Sequence, residues 1–258
     1  MRIVTNRKRV QRSRSNAQYL FFLSLAVLFG GLIFTNTLAK QNDALLLLPC
    51  AIMPLGLVTT LVSVRLTNQY VRLPHPEDAI RDGLKGINRR SILYNYLLGP
   101  NHVLITPQGV FSLTTRFQET RFKIEGDKWF NAKRRGPLAP FFLFLKQEAL
   151  GDPFKQAKQE AEAVQPLVDQ ALPGAGIKVQ PVVVFTSSKA TLDVIDPTIP
   201  VAYADAKKKP SLKALLKEGK QKEDAAKLTP EQIEAIDGAF MATLNENSRK
   251  RDIQEDEG

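Results

Sequence analysis

Cysteine, histidine and tryptophan are scarce in this chain of 258 residues: Cys50, His75, His102 and Trp129 are the whole set. A lone cysteine excludes an internal disulfide framework. Two histidines and one cysteine cannot complete a four-ligand structural zinc site of the Cys/His kind. The sequence has no GxxxxGK[ST] and no GxGxxG, so it carries no glycine-rich nucleotide cradle. GxSxG and HExxH are absent too, which removes the serine-elbow hydrolases and the zinc-dependent proteases that use those motifs.

What is plentiful is positive charge, and its placement matters more than its net value of +10. Residues 1–18 hold six basic residues and no acid. Residues 72–205 hold 17 basic and 14 acidic residues, and residues 206–258 hold 11 of each. Most of the excess therefore lies outside the middle of the chain, which is weak support for a nucleic-acid surface there.

Long uncharged runs come next. Residues 19–39 (YLFFLSLAVLFGGLIFTNTLA) and 44–64 (ALLLLPCAIMPLGLVTTLVSV) contain no charged residue. At 1.5 Å rise per residue, each is long enough for a hydrocarbon core of about 30 Å. Only KQND (40–43) separates the two runs, room for a tight turn alone. A cleaved signal peptide ending near Ala39 has a shorter apolar stretch and no second span directly behind it. The sequence thus predicts a basic tail over 1–18 and a two-helix membrane hairpin over 19–66, with spans near 19–39 and 44–66. Pro49 and Pro54 are expected to kink the second helix. Basic residues before the first span, with Arg65 and Arg72 after the second, put both termini on the cytoplasmic side.

The remainder alternates helix and strand patterns. Ile80, Leu84 and Ile87 mark one apolar helix face after Pro74-His75-Pro76. Strands are expected in SILYNYLL (91–98), HVLIT (102–106), VFSLTTRF (110–117) and RFKIEG (121–126), with a Pro-Gln-Gly turn between the second and third. Residues 132–148, containing FFLFL (141–145), read as a loop with a partly buried or membrane-grazing helical turn. Asp152-Pro153 then opens a helix carrying Phe154, Ala157, Ala161, Val164, Val168 and Ala171 on its apolar side. Lys155, Lys158, Glu160 and Glu162 are placed outward, and Pro166 is expected to bend or interrupt the helix. VQPVVVFTSS (179–188) reads as a buried strand. The predicted class is α/β, a mixed sheet flanked by helices, over 72–205. Residues 206–228 read as a lysine-rich mobile linker, followed by an amphipathic helix at about 229–245 and a disordered tail.

The stretches YNYLLGPNHVLITPQGVFSLTTR (94–116), EGDKW (125–129), GDPFKQ (151–156) and PVVVFT (181–186) resemble, in order and spacing, the NERD (nuclease-related) domain. That family is a bacterial relative of the PD-(D/E)XK nucleases and also occurs fused to transmembrane helices. The resemblance implies a PD-(D/E)XK-like sheet and a catalytic set of an Asp before one strand and Glu-x-Lys on the next. In that set, two carboxylates hold Mg²⁺ against the scissile phosphate and the Lys positions the attacking water. Carried onto this chain, the three positions fall on Asn101, Thr114 and Arg116, and all three depart. Asn and Thr are neutral, while Arg keeps its proton and repels a metal.

The expectation is therefore a membrane-anchored domain, in a bacterial plasma membrane, without catalytic residues and without a cofactor, acting as a cytoplasmic binding or scaffold module. Two alternatives stay open. In one, the domain tethers nucleic acid through Arg116. In the other, a relocated carboxylate (Glu119 meeting Glu77, Asp78 or Asp82 of the leading helix) restores Mg²⁺ and a residual nuclease. Gln156 either marks the old cleft or is a solvated helix residue. Lys133, Arg134 and Arg135 are candidate contacts for phosphate or lipid headgroups against a solvated-loop reading. His102 fits the family's Asp-His pair and, lacking its acid, reads as structural. Trp129, Tyr94 and Tyr96 read as packing residues.

Overall fold

The structure is a computed structural model that describes residues 1–37, 48–131, 151–221 and 227–256. The KQND turn with the start of the second apolar run, the FFLFL segment, and Lys133, Arg134 and Arg135 lie outside the described residues. Two compact units emerge. One is built from Met1–Asn6, Pro76–Lys133 and Leu150–Gly258; the other holds Arg7–His75 among its described residues.

In the first unit, a six-stranded mixed sheet has the order β1-β2-β3-β4-β7-β9. Its strands are β1 (Arg2–Thr5), β2 (Ile92–Asn95), β3 (His102–Thr106), β4 (Gly109–Arg116), β7 (Gln180–Phe185) and β9 (Val201–Tyr203). β2, β3 and β4 form an antiparallel meander, while β1 joins β2, β7 joins β4 and β9 joins β7 in parallel. The tight β3–β4 turn places Gly109 at φ +133°, a backbone conformation that side chains resist. Helix α4 (Pro153–Ala171) carries the chain from one side of the sheet back to β7. Such a crossover is what a parallel neighbour requires.

Helices cover both faces. α4 and α6 (Pro230–Asp256) lie on one face, where Ala161, Val164, Val168, Ile236 and Phe240 meet Tyr94, Val103, Ile105 and Val110. α3 (Pro76–Gly83) and α5 (Leu212–Gln221) lie on the other, where Ile80, Leu84, Leu212 and Leu216 meet Leu93, Leu104, Phe111 and Leu113. A second sheet, β6-β5-β8, pairs β5 (Arg121–Glu125) with β6 (Lys128–Asn131) and with β8 (Thr191–Ile195). Phe122 and Ile124 of β5 pack with Phe154, Phe185 and Tyr203 in a third cluster. Trp129 lies 5.0 Å from the Phe154 ring, so it is part of that packing.

Several expectations change here. The supposed tail 1–18 is strand β1 followed by the first turns of a helix. The supposed linker contains α5, whose Leu212 and Leu216 are core residues, and its last residue, Leu228, is buried as well. Their spacing of four was a helix signal masked by the surrounding lysines. The last helix does not end near 245 but runs to Asp256. Pro166 neither interrupts α4 nor ends it. Asp152 does cap α4, accepting from Lys155 N at 2.9 Å.

In the second unit, α1 (Arg7–Thr37) and α2 (Leu48–Leu66) pack antiparallel. Ser63 Oγ donates to Ala17 O at 3.2 Å. A Cβ added at Gly56 would come within 3.0 Å of Leu28 Cδ2, so the helices meet closely there. α2 is continuous through Pro54 and passes into a π-helical turn, Thr67–Val71, whose Tyr70 O accepts from Arg14 Nε at 2.8 Å. The stretch Arg7–Ile33 is a helix long and apolar enough to cross a bilayer.

Candidate functional site

The site is built from β4 and the first turns of α4. Along β4 the period of two sends Val110, Ser112, Thr114 and Arg116 to the α4 side of the sheet. On α4 the small residues Ala157 and Ala161 are buried, which lets the helix approach the strand. Gln156 and Glu160, four residues apart, flank that close stripe and reach the strand.

The four polar side chains form one chain of hydrogen bonds. Thr114 Oγ1 donates to Glu160 Oε2 at 2.6 Å. Gln156 Nε2 donates to Glu160 Oε1 at 2.6 Å. Arg116 Nη2 donates to Gln156 Oε1 at 2.8 Å, and Nη1 donates to the Thr115 carbonyl at 3.0 Å. Both oxygens of the Glu160 carboxylate are thus already used as acceptors. Burial lowers the pKa of Arg116 from its ordinary value, and the negative charges of Glu160 and Asp152 oppose that shift. The guanidinium keeps its charge, as arginine does in proteins, and the charges of Glu160 and Asp152 compensate it.

Chemically, the side chain in this arrangement that could take up a proton is Glu160, and it already accepts from Thr114 and Gln156. Thr114 spends its hydroxyl proton on Glu160, and Arg116 stays protonated. Hard divalent ions need several oxygen ligands at once. Among the described residues, no group of three or more His, Cys, Asp or Glu side chains is disposed to hold a metal.

Asn101 lies at the adjoining strand end. The β3–β4 register pairs Val103 with Ser112, and continued two residues it brings Asn101 and Thr114 to the same position along the ladder. The Asn101 carbonyl accepts from Tyr96 N at 2.6 Å, closing the turn that precedes β3. His102 is elsewhere. It is fully buried on the opposite face, and its Nδ1–H donates to Asn95 Oδ1 at 2.8 Å. Asn95 Nδ2 in turn donates to Thr5 Oγ1 at 3.0 Å, so the three strands β1, β2 and β3 are stitched at one level. His102 Nε2 has no partner among the described residues, and burial pulls the imidazole pKa down to about 3. This is a neutral core histidine.

The acids named for a relocated site each have partners of their own. Glu119 accepts from Ser187 Oγ at 3.0 Å and pairs with Lys189 at 3.6 Å. Asp82 pairs with its own helix neighbours Lys85 and Arg81, which hold its carboxyl below the usual range, and Glu77 accepts from Tyr96 Oη at 2.9 Å. The carboxylate that does reach Thr114 is Glu160, which the sequence reading had turned outward. Its signal was present: Glu160 follows Gln156 by four and sits beside two alanines, a place where a polar residue can face a close neighbour. No family model, no curated protein and no solved structure matches this chain.

Proposed function

We propose that the chain is a membrane-anchored, NERD-like nuclease-related domain whose catalytic positions have been replaced, acting as a binding or scaffold module at the cytoplasmic face of a bacterial plasma membrane. The observation that carries this reading is the closed set Thr114–Glu160–Gln156–Arg116. It occupies the strand positions where the resemblance calls for a metal-binding Glu and a Lys. The order α3-β2-β3-β4-β5-β6-α4-β7, with β7 parallel to β4, is compatible with the order of the stretches that carry the resemblance. The nucleic-acid tether through Arg116 is the less favoured reading, because Nη2 already donates to Gln156 and the charges of Glu160 and Asp152 compensate the guanidinium.

β1 supports this topology. Arg2–Thr5 pairs with β2 in the six-stranded sheet, which favours one compartment for the N-terminus and the described residues of the first unit. A chain that leaves and returns to one compartment crosses the membrane an even number of times. If α1 crosses, α2 must bring the chain back, and the arginines at its end favour the cytoplasm.

The test is a cleavage assay on the full chain in detergent micelles, with single- and double-stranded DNA and RNA and either Mg²⁺ or Mn²⁺. No metal-dependent cleavage is expected. Cleavage that Glu160→Gln abolishes would overturn the proposal.

A further inference from the structure

The geometry points to a binding surface for anionic phospholipid headgroups at the end of the α1–α2 pair where the chain enters and leaves. It rests on the membrane-hairpin reading above. Between Met1 and Pro76 the only carboxylate side chain in the sequence is Asp43, in the short connection between the two helices. At the opposite end stand Arg7, Lys8, Arg9, Arg12 and Arg14 of α1, with Arg65 and Arg72 after the apolar part of α2. The antiparallel register puts them together: Ala17 lies opposite Ser63, and Arg14 opposite Tyr70.

Their depth identifies the occupant. The exposed apolar band starts at Tyr19 on α1 and ends at Val62 on α2. Arg65 follows Val62 by three residues, about 4.5 Å along the helix, and Arg12 precedes Tyr19 by seven, about 10 Å. A headgroup layer is about 5–7 Å thick on each side of the hydrocarbon, and long basic side chains reach along it. Arg65 and Arg12 therefore meet the phosphates. Arg7 and Lys8, farther out, stand in the diffuse negative field that a leaflet rich in anionic lipid projects over about a Debye length. Arg7, Lys8, Arg12 and Arg65 are exposed. Basic groups attached within one or two turns of an apolar band are held to the bilayer surface, which a nucleic acid could reach only by displacing lipid. The surface thus fits anionic headgroups, and it fits zwitterionic ones poorly because their ammonium groups cancel the attraction.

The experiment reconstitutes the full chain into vesicles of phosphatidylcholine with an equal amount of phosphatidylglycerol, then measures the two lipids retained after extraction in mild detergent. Resistance to alkaline carbonate is measured on the same vesicles. Carbonate resistance with phosphatidylglycerol enriched about fivefold or more is expected, the enrichment at least halving when Arg7, Lys8, Arg12 and Arg65 are all replaced by Gln. Carbonate resistance with equal retention of both lipids would overturn the headgroup surface while leaving the hairpin standing. Extraction by carbonate would overturn the hairpin and the surface together. Duplex DNA binding that the four substitutions abolish, with lipid retention unchanged, would also overturn the inference.

Discussion

Replacing His102 with Asn should remove a defined part of the acid sensitivity of the fold. The native imidazole is neutral: Nδ1–H donates to Asn95 Oδ1, while Nε2 is buried and has no partner among the described residues. Protonation at Nε2 would bury a cation without an acceptor, which is why burial drives the pKa down to about 3. In the unfolded chain the ring titrates near 6.5. Because the folded pKa is the lower one, the unfolded state binds the extra proton between these values, and stability falls as the pH falls through that window. The slope is about 1.4 kcal/mol per pH unit, so the loss from pH 7 to pH 4.5 is about 2.5 kcal/mol. His102→Asn keeps an amide donor for Asn95 and has no proton to take up. Urea unfolding of the full chain in micelles, followed by fluorescence of Trp129 in its aromatic cluster, reads the difference. Carboxylate titration is common to both proteins and cancels. The variant is expected to be less stable at pH 7, from lost packing, and to close that gap by about 2.5 kcal/mol at pH 4.5. A gap that stays constant across this range would refute the argument.

Gly83→Ala should prevent α3 from docking on the sheet. A Cβ there would lie 1.7 Å from the Ala204 carbonyl oxygen, and a backbone atom cannot yield cheaply; a loss of about 3 kcal/mol or more in the same unfolding assay is expected. Asp237→Ala should loosen α6 from the N-terminal strand, because Asp237 accepts hydrogen bonds from both Arg2 and Tyr94. Stranding the Tyr94 hydroxyl is expected to cost about 1–3 kcal/mol, and hydrogen exchange should rise in β1 and α6 together. A double-mutant cycle of Thr114→Val with Glu160→Gln should give a coupling energy of about 0.5–3 kcal/mol, and a zero coupling would mean that the 2.6 Å contact is energetically idle.

What was legible in the sequence was local. The β3–turn–β4 hairpin, the Asp152 cap and the apolar face of α4 each depend on residues a few positions apart, and each stands in the structure. The membrane-length apolar helix was legible for the same reason. Long-range pairing was not. Arg2–Thr5 looked like a basic tail because a four-residue edge strand carries little pattern of its own; only its partner β2 makes it a strand. RFKIE read as a further strand, yet nothing in those residues tells that it pairs with β8, some 70 positions on, in a separate sheet. α5 and the end of α6 were hidden by composition, since charged runs resemble disorder; in α5 it is Leu212 and Leu216 that find a core. At the site, the strand positions Thr114 and Arg116 were found from the motif, and Gln156 was suspected. Glu160 was missed because helical periodicity separates buried from exposed and has no category for a polar side chain at a close helix–strand contact. His102 carried a family association that burial on the opposite face dissolves.

The central proposal is that the Glu160 carboxylate is taken up by Thr114 and Gln156 rather than by a metal. Mn²⁺ is a paramagnetic stand-in for Mg²⁺, and its binding to the full chain in micelles can be followed by electron paramagnetic resonance. The expected result is that added Mn²⁺ keeps the spectrum of the free aquo ion, with no difference between the wild type and Glu160→Gln. One Mn²⁺ bound per chain in the wild type, and released by Glu160→Gln, would contradict the account and return the site to metal chemistry.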